Sequence, residues 1–146
     1  MKVNNPTEAF FIAAEMERRA IRMYELMDLL VDQGETRNML RDLLKDERTH
    51  LERFTSWLNG QIPACEDALI LSAEAAGILF PGGLTEALRH SAAGSAEAMR
   101  LYAIEQEKVA VNTYLLFASQ CTGDAKQAFL CIADEEQQHL NDLMAM

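Results

Sequence analysis

Residues 40–58 carry apolar side chains at a spacing of three and four residues, which is typical of the buried face of an amphipathic helix. The apolar members of this face are Leu40, Leu43, Leu44, Leu51, Phe54, Trp57 and Leu58. Between them the same face reaches Glu47 and His50, so a carboxylate and an imidazole occupy positions that belong to a protein core. An unpaired carboxylate is costly to bury. We therefore expect another group to neutralise Glu47.

Turn and capping signals predict an all-α fold built on four long helices. A cap followed by a proline at Asn5-Pro6 starts the first helix, and Gly34, Gly60 and Gly123 follow the ends of helical segments. The predicted helices cover about 6–31, 36–59, 95–121 and 124–145, and a crossover covers about 60–94. Because the connections within the first and the last pair are only a few residues long, each pair should form an antiparallel hairpin. We therefore predict one domain over residues 1–146, a four-helix bundle of two antiparallel helix hairpins joined by a long crossover.

Charge and hydropathy narrow the partners and the compartment that we expect. The net charge of −10 argues against nucleic acid or an anionic membrane surface as a partner, because both bind basic patches. The opening MKVNNPTEAF lacks the apolar core of a secretion signal, and the most apolar run, ALILSAEAAGILF at 68–80, is too short to cross a bilayer. Cys65, Cys121 and Cys131 form no C-x-x-C pair and are interpreted as reduced thiols. We expect a cytoplasmic protein without stable membrane insertion.

An internal repeat links the two predicted hairpins. The segment LKDERTHL at 44–51 aligns with ADEEQQHL at 133–140, an offset of 89 residues, and both copies contain E-x-x-H. Likewise ERRAIRMY at 17–24 aligns with EKVAVNTY at 107–114, an offset of 90 residues, and both copies contain E-x-x-A-x-x-x-Y. The two hairpins are therefore interpreted as copies of one unit that carries the tyrosine motif first and the histidine motif second.

The repeat places four glutamates and two histidines on the apolar faces of the four helices. These six candidate metal ligands are Glu17, Glu47, His50, Glu107, Glu136 and His139. Four carboxylates and two neutral imidazoles carry a charge of −4, which two divalent cations would balance, whereas repulsion among uncompensated buried carboxylates would be prohibitive. Carboxylate and imidazole ligands without thiolate suit iron or manganese best, with zinc possible. We interpret Glu47 and Glu136 as bridging ligands and Glu17 and Glu107 as terminal ligands.

Two tyrosines accompany this pattern. Tyr24 and Tyr114 lie two turns after Glu17 and Glu107 on the same helix faces. Three interpretations stay open, because these side chains suit hydrogen-bond donors beside the metal ligands, radical traps or ordinary core tyrosines. No catalytic residue separate from the ligands is predicted.

The pattern resembles the ferritin-like di-iron carboxylate proteins, in which two helices of a bundle each supply a glutamate and the other two each supply Glu-x-x-His. It is most similar to the rubrerythrin-type branch, in a form that lacks the rubredoxin domain, since the chain has no C-x-x-C. Rubrerythrins add a further glutamate one turn from the third-helix ligand, whereas Ile104 and Ala110 stand three residues either side of Glu107. The set is thus closer to ferritin and bacterioferritin centres. The resemblance implies two iron ions that react with O2 or H2O2, in an oxidoreductase of ferroxidase or peroxide-reducing type supplied by an external electron donor.

Two other functions stay open from the sequence. The site could bind metal for storage, delivery or structure without turnover. It could also belong to a di-iron hydroxylase that acts on a lipid-like quinone, since one family of that kind shares the same repeat. Such a hydroxylase would need an apolar membrane-docking surface, and the run at 68–80 is the candidate. The same run is equally suited to pairing two copies of the chain, and we expect a homodimer.

Overall fold

The computed structural model describes residues 1–30, 34–83, 85, 86, 89 and 95–146. In this part of the chain the structure is all-helical, with five helices of 14 residues or more and no strand. In chain order they are α1 (Pro6–Leu30), α2 (Glu35–Leu58), α3 (Cys65–Ile78), α4 (Ala96–Gln120) and α5 (Gly123–Met144). The predicted all-α class is therefore confirmed for the described residues.

Four of these helices occupy the segments that the sequence predicts. They start at residues 6, 35, 96 and 123, where the sequence predicts starts at 6, 36, 95 and 124. The structure follows α1 to Leu30, and its predicted end at Val31 lies outside the described residues, as does much of the last part of the predicted crossover. Ser95 caps α4 by accepting a hydrogen bond from the backbone N–H of Ala98, which satisfies one of the free donors in the first turn.

Helix α3 lies inside the predicted crossover, in a segment for which no long helix is predicted. Its apolar residues lie on both of its sides, because Leu71 is buried while Leu69 and Ile70 are 69% and 61% exposed. A helix without one apolar stripe leaves no amphipathic signal in the sequence. Among the described residues, no helix combines the length and the apolar character needed to cross a membrane.

The helices pack in pairs. α1 packs along α2, α4 packs along α5, and α3 packs against α1. Thr7 near the start of α1 donates a 2.8 Å hydrogen bond to Gln61 just beyond α2, whereas Asp28 near the end of α1 lies 3.4 Å from Arg37 near the start of α2. These contacts show that α1 and α2 run in opposite directions. The side chain of Arg100 in the second turn of α4 reaches a backbone carbonyl in the last turn of α5, at 2.7 Å. The packing is compatible with a helical bundle.

One phenylalanine from each of the four long helices joins a buried cluster that we call the aromatic cluster. Its members are Phe10, Phe54, Phe117 and Phe129. Phe129 lies at the centre, since its ring is 5.0 Å from the ring of Phe10, 5.7 Å from that of Phe54 and 5.4 Å from that of Phe117. Each fully buried phenylalanine contributes roughly 1.5–3 kcal/mol through removal of apolar surface from water. The cluster therefore ties the two helix pairs to one shared core.

Candidate metal centre

The structure brings together all six residues that the sequence predicts as metal ligands. Each of α1, α2, α4 and α5 supplies one glutamate from its buried face, and α2 and α5 each add a histidine one turn later. The six are Glu17, Glu47, His50, Glu107, Glu136 and His139. All six are buried, with His139 at 8% exposure and the other five at 3% or less. The helical spacing of these residues thus directs six ionisable side chains into the core.

The six residues form two overlapping groups, each of which could hold a metal ion. One group consists of Glu17, Glu47, His50 and Glu136, and the other of Glu47, Glu107, Glu136 and His139. Within each group, one ligand atom per residue can be chosen so that all lie within 4.8 Å of one another. We call the first group the Glu17 half and the second the Glu107 half. The halves share Glu47 and Glu136, so these two carboxylates lie between two candidate metal positions.

Both histidines turn Nδ1 toward the carboxylates. Nδ1 of His50 lies 2.8 Å from Glu136 Oε1 and 3.7 Å from Glu17 Oε1. Nδ1 of His139 lies 3.2 Å from Glu136 Oε2 and 3.3 Å from Glu47 Oε1. The two rings lie 5.7 Å apart, nearly parallel. Nδ1 of His50 is thus directed into the Glu17 half, and Nδ1 of His139 is directed into the Glu107 half.

The outer nitrogen of each histidine faces a carboxylate from the other helix pair. Nε2 of His139 donates a hydrogen bond of 2.9 Å to Asp46 Oδ2, and Nε2 of His50 lies 3.4 Å from Glu135 Oε2. Carboxylates in this position fix the tautomer and orientation of an imidazole ligand. Neither acid is among the residues predicted from the sequence. The aligned repeats nevertheless contain the signal, because an acid precedes the glutamate of both E-x-x-H copies.

The two tyrosines also bond across helices. Tyr24 of α1 donates a 2.7 Å hydrogen bond to Glu107 of α4, and Tyr114 of α4 donates a 2.7 Å hydrogen bond to Glu17 of α1. Each tyrosine therefore contacts the glutamate of the other helix and not the one that precedes it in its own. Burial and the adjacent carboxylates raise the pKa of both tyrosines, which keeps them protonated as donors. Both tyrosines therefore donate hydrogen bonds to candidate ligands, as the first of the interpretations left open by the sequence requires.

Without a bound cation, protons on the buried carboxylates and imidazoles offset negative charge in the cluster. Burial, with repulsion from Glu136, raises the pKa of Glu47 well above its usual range and raises that of Glu107 to about 8. Burial acts to raise the pKa of Glu136 as well, but hydrogen bonds from Glu107 and the two histidines outweigh it and leave this pKa lowered. Burial acts to lower the pKa of the histidines, but bonds to the surrounding carboxylates raise the pKa of His50 to about 10 and also raise that of His139.

The polar atoms at the centre of the cluster fit a cation. One oxygen of each glutamate is buried and accepts no well-directed hydrogen bond from the described residues, although His50 Nδ1 lies 2.8 Å from Glu136 Oε1 and His139 Nδ1 lies 3.3 Å from Glu47 Oε1. These atoms are Glu17 Oε2, Glu47 Oε1, Glu107 Oε2 and Glu136 Oε1. A buried acceptor without a well-directed hydrogen bond costs about 1–3 kcal/mol, and coordination to a cation would satisfy these four oxygens together. Oxygen and imidazole donors are the set that iron, manganese and zinc accept.

A surface cavity of about 180 Å³ opens over the two histidines. It is lined by Asp46, Thr49, His50, Glu135, Gln138, His139 and Asp142. All of its lining residues are polar and three of them are acidic, and the two imidazoles lie between it and the buried glutamates. A small molecule or an ion in this cavity would therefore lie next to the candidate metal centre.

Comparison with known proteins found no matching family model, no matching curated protein and no matching solved structure. The interpretation of the cluster therefore rests on its own geometry. Two groups of carboxylate and imidazole donors meet in the core, share two glutamates and contain unsatisfied oxygens. Buried glutamate and histidine side chains in this arrangement could bind metal and are compatible with a centre of two ions.

Proposed function

We propose that this chain is a ferritin-like protein with a di-metal carboxylate centre, most similar to the rubrerythrin type without a rubredoxin domain. In this proposal α1, α2, α4 and α5 are the four helices of the bundle, arranged as two antiparallel hairpins, and the segment that contains α3 is the crossover. The observation that carries the proposal is the sharing of Glu47 and Glu136 by two groups of buried donors. These two carboxylates would be shared by the two ions, and Glu17 and Glu107 would each be a ligand of one ion.

Iron is the proposed metal, with manganese or zinc as alternatives. The four carboxylates and two neutral imidazoles would together balance the charge of two divalent ions, and the ligand atoms would give up their protons when they bind metal. When bound, Fe(II) supplies the electrons that reduce O2 or H2O2, and repeated turnover requires an external electron donor. The protein contributes a site from which bulk water is largely excluded, because five of the six side chains are at most 3% exposed.

The residues around the ligands hold them in place. Asp46 and Glu135 orient the two imidazoles from outside, so that Nδ1 of each ring stays directed at the glutamates. Tyr24 and Tyr114 each donate to one oxygen of a terminal glutamate, which leaves the other oxygen available to a cation. The cavity over the histidines gives O2 or H2O2 a place to collect beside the centre.

A second candidate is a protein that binds or handles iron without turnover. The same buried cluster favours it, because tight enclosure of a metal serves storage or structure as well as catalysis. The two functions differ in what happens to an oxidant. Protein loaded with Fe(II) under anaerobic conditions and then mixed with O2 or H2O2 should consume the oxidant faster than free Fe(II) if the centre is catalytic. A rate equal to that of free Fe(II) favours the non-catalytic function.

The proposal is tested by metal content. Protein expressed with iron and kept anaerobic should contain about two ions per chain, and the double variant Glu47→Ala, Glu136→Ala should contain none, because both halves lose their shared ligands. The matched control is Glu52→Ala, Glu105→Ala, which removes two exposed carboxylates from α2 and α4 and should keep both ions. Elemental analysis of the three proteins provides the measurement. No metal in the unmodified protein, or two ions that survive the loss of Glu47 and Glu136, would refute the di-metal centre.

A further inference from the structure

The chain leaves α3 through a corner, Leu79–Gly83, that two bundle side chains hold. Arg19 of α1 donates hydrogen bonds to the carbonyl of Leu79 at 2.8 Å and to the carbonyl of Phe80 at 2.7 Å. The backbone N–H of Phe80 donates to Gln106 Oε1 of α4 at 2.7 Å, and Gln106 is itself buried. Three hydrogen bonds thus fix two consecutive residues of the crossover to two different helices.

This corner holds Phe80 in an unfavourable backbone conformation. Its φ is 48°, in the left-handed region that a residue with a bulky side chain rarely adopts. Such a conformation is energetically unfavourable and persists only where the surroundings impose it. The result is a fully buried ring that meets the rings of Tyr24 and Tyr102 edge-on, each at 5.5 Å between centroids. The crossover therefore accepts strain and places an aromatic ring beside Tyr24.

The internal repeat shows which aromatic neighbours of Tyr114 have no counterpart around Tyr24. Around Tyr114, the rings of Phe54 and Phe129 lie at 5.4 Å and 6.2 Å. At the offset of 89 residues, the positions that match these two phenylalanines are Leu143 and Leu40. The other tyrosine therefore receives no aromatic neighbour from these positions of the bundle. The crossover, which the repeat does not duplicate, supplies one.

We propose that Phe80 is a positioning residue for the Glu107 half of the metal centre, acting through Tyr24. The corner fixes the ring of Phe80, that ring limits where the ring of Tyr24 can lie, and the hydroxyl of Tyr24 then donates to Glu107. Its consequence for metal binding rests on the proposed function. This assigns the crossover a role in the site although none of its described residues lies among the candidate ligands.

The test measures Co(II) binding, by the visible absorption of the bound ion, in the backgrounds Glu17→Gln and Glu107→Gln, each of which leaves one half of the centre intact. In the Glu17→Gln background, which keeps the Glu107 half, Phe80→Leu should weaken Co(II) binding about fivefold, the loss expected for a displaced hydrogen bond. In the Glu107→Gln background, which keeps the Glu17 half, Phe80→Leu should leave Co(II) binding unchanged. Tyr24→Phe should give the same loss, and combining it with Phe80→Leu should add nothing. Equal losses in both backgrounds, or additive losses in the double variant, would overturn the inference.

Phe117→Leu is the matched control, because it removes an equally buried ring from the aromatic cluster. It should lower the Tm and leave Co(II) binding by the Glu107 half unchanged. A loss of binding as large as that of Phe80→Leu would mean that any core truncation loosens the site, and the inference would fall. If Phe80→Leu does not fold, Arg19→Met removes two of the three bonds to the corner and should show the same pattern with a smaller loss. An unchanged affinity in that variant would also overturn the inference.

A protein that binds no Co(II) in its unmodified form would refute the proposed function, and the positioning is then decided without metal. A buried, hydrogen-bonded Tyr24 hydroxyl proton should exchange slowly enough to give an NMR signal. Phe80→Leu should abolish or broaden this signal, and Phe117→Leu should preserve it. Its persistence in Phe80→Leu would show that the ring does not position Tyr24.

Discussion

The two halves of the candidate centre carry the same types of inner side chain, yet their outer neighbours differ. In the Glu17 half, the outer nitrogen of His50 faces Glu135 at 3.4 Å, and Arg53 pairs with that same carboxylate. In the Glu107 half, His139 donates a shorter hydrogen bond of 2.9 Å to Asp46, whose side chain is 52% exposed. The guanidinium of Arg53 thus offsets the charge of the outer acid in one half, whereas the two outer acids are similarly exposed, Glu135 at 45% and Asp46 at 52%.

The tyrosines show a second difference between the halves. Tyr114, which bonds the Glu17 half, packs against two rings of the aromatic cluster that the bundle itself provides, Phe54 and Phe129. Tyr24, which bonds the Glu107 half, depends on Phe80 from the crossover. The internal repeat therefore duplicates the candidate ligands and not their surroundings. We therefore expect two metal positions of unequal affinity in spite of equal ligand chemistry.

Substitution of Glu17 or Glu107 should change metal binding most strongly, because each substitution removes a ligand from one half alone. Glu17→Gln and Glu107→Gln keep the volume of the side chain but remove one charge from one half, so each variant should bind one ion per chain where the unmodified protein binds two. Elemental analysis and Co(II) absorption would measure the stoichiometry. The two single-ion proteins should also differ from each other in their spectra. Loss of both ions from either variant would show that the halves do not bind independently.

The metal-free protein should lose stability as the pH rises. The pKa of Glu107 is about 8 in the folded chain against 4.5 for an ordinary glutamate, so the folded state keeps a proton that the unfolded state loses, and stability falls as the pH rises from 4.5 to about 8. The pKa of His50 is raised from 6.5 to about 10, so its stabilisation is complete below 6.5 and is lost as the pH rises to about 10. Both groups act in the same direction.

Thermal unfolding in the presence of a chelator measures this decline. A loss of about 1 kcal/mol lowers the Tm of a chain of this size by about 3 °C, and we expect at least this fall between pH 5 and pH 9. Glu107→Gln should flatten the decline below pH 8, whereas removal of the exposed Glu52 should not. With saturating metal the trend should reverse, because cations compete with protons for the same atoms. A metal-free Tm that rises over this range would contradict the charge balance deduced for the cluster.

The outer carboxylates should give the next largest effect, and an unequal one. Asp46→Asn should weaken binding in the Glu107 half by about 10- to 100-fold, the usual cost of removing a carboxylate that holds a histidine ligand. Glu135→Gln should cost the Glu17 half less, because its distance to His50 is longer and Arg53 already offsets its charge. Stepwise Co(II) titration measures both losses. Asp142→Asn, which removes an exposed acid from the same cavity, is the control, and an equal loss there would reduce the effect to general negative potential.

The parts of this arrangement that the sequence predicts are those that leave a periodic signal. Spacing of three and four residues predicts the four long helices, and the same spacing places Glu47 and His50 on a buried face. A single E-x-x-H motif is weak evidence, but its recurrence with a second pair of glutamates predicts which acids converge. Helix α3 has apolar residues on both sides and lacks that signal, so its position became visible only in the structure.

Contacts between helices could not be predicted, for a physical reason. That Asp46 faces His139, or that Tyr24 reaches Glu107, depends on the rotation and depth of one helix relative to another, which local spacing does not encode. The corner is harder still, because a left-handed conformation is usually marked by glycine and here belongs to Phe80. The surroundings impose that conformation through Arg19 and Gln106, residues distant in sequence.

The weakest effect should come from the two tyrosines, each of which bonds the glutamate of the other helix. Tyr24→Phe and Tyr114→Phe each remove one hydrogen bond to a buried carboxylate, worth about 1 kcal/mol or about fivefold in affinity. In the Glu107→Gln background only the Glu17 half remains, so Tyr114→Phe should weaken Co(II) binding there and Tyr24→Phe should not. In the Glu17→Gln background the two effects should exchange. Because Tyr24 lies on the same helix as Glu17, an assignment by sequence neighbourhood predicts the opposite pattern, and the sign of this small difference decides between the two.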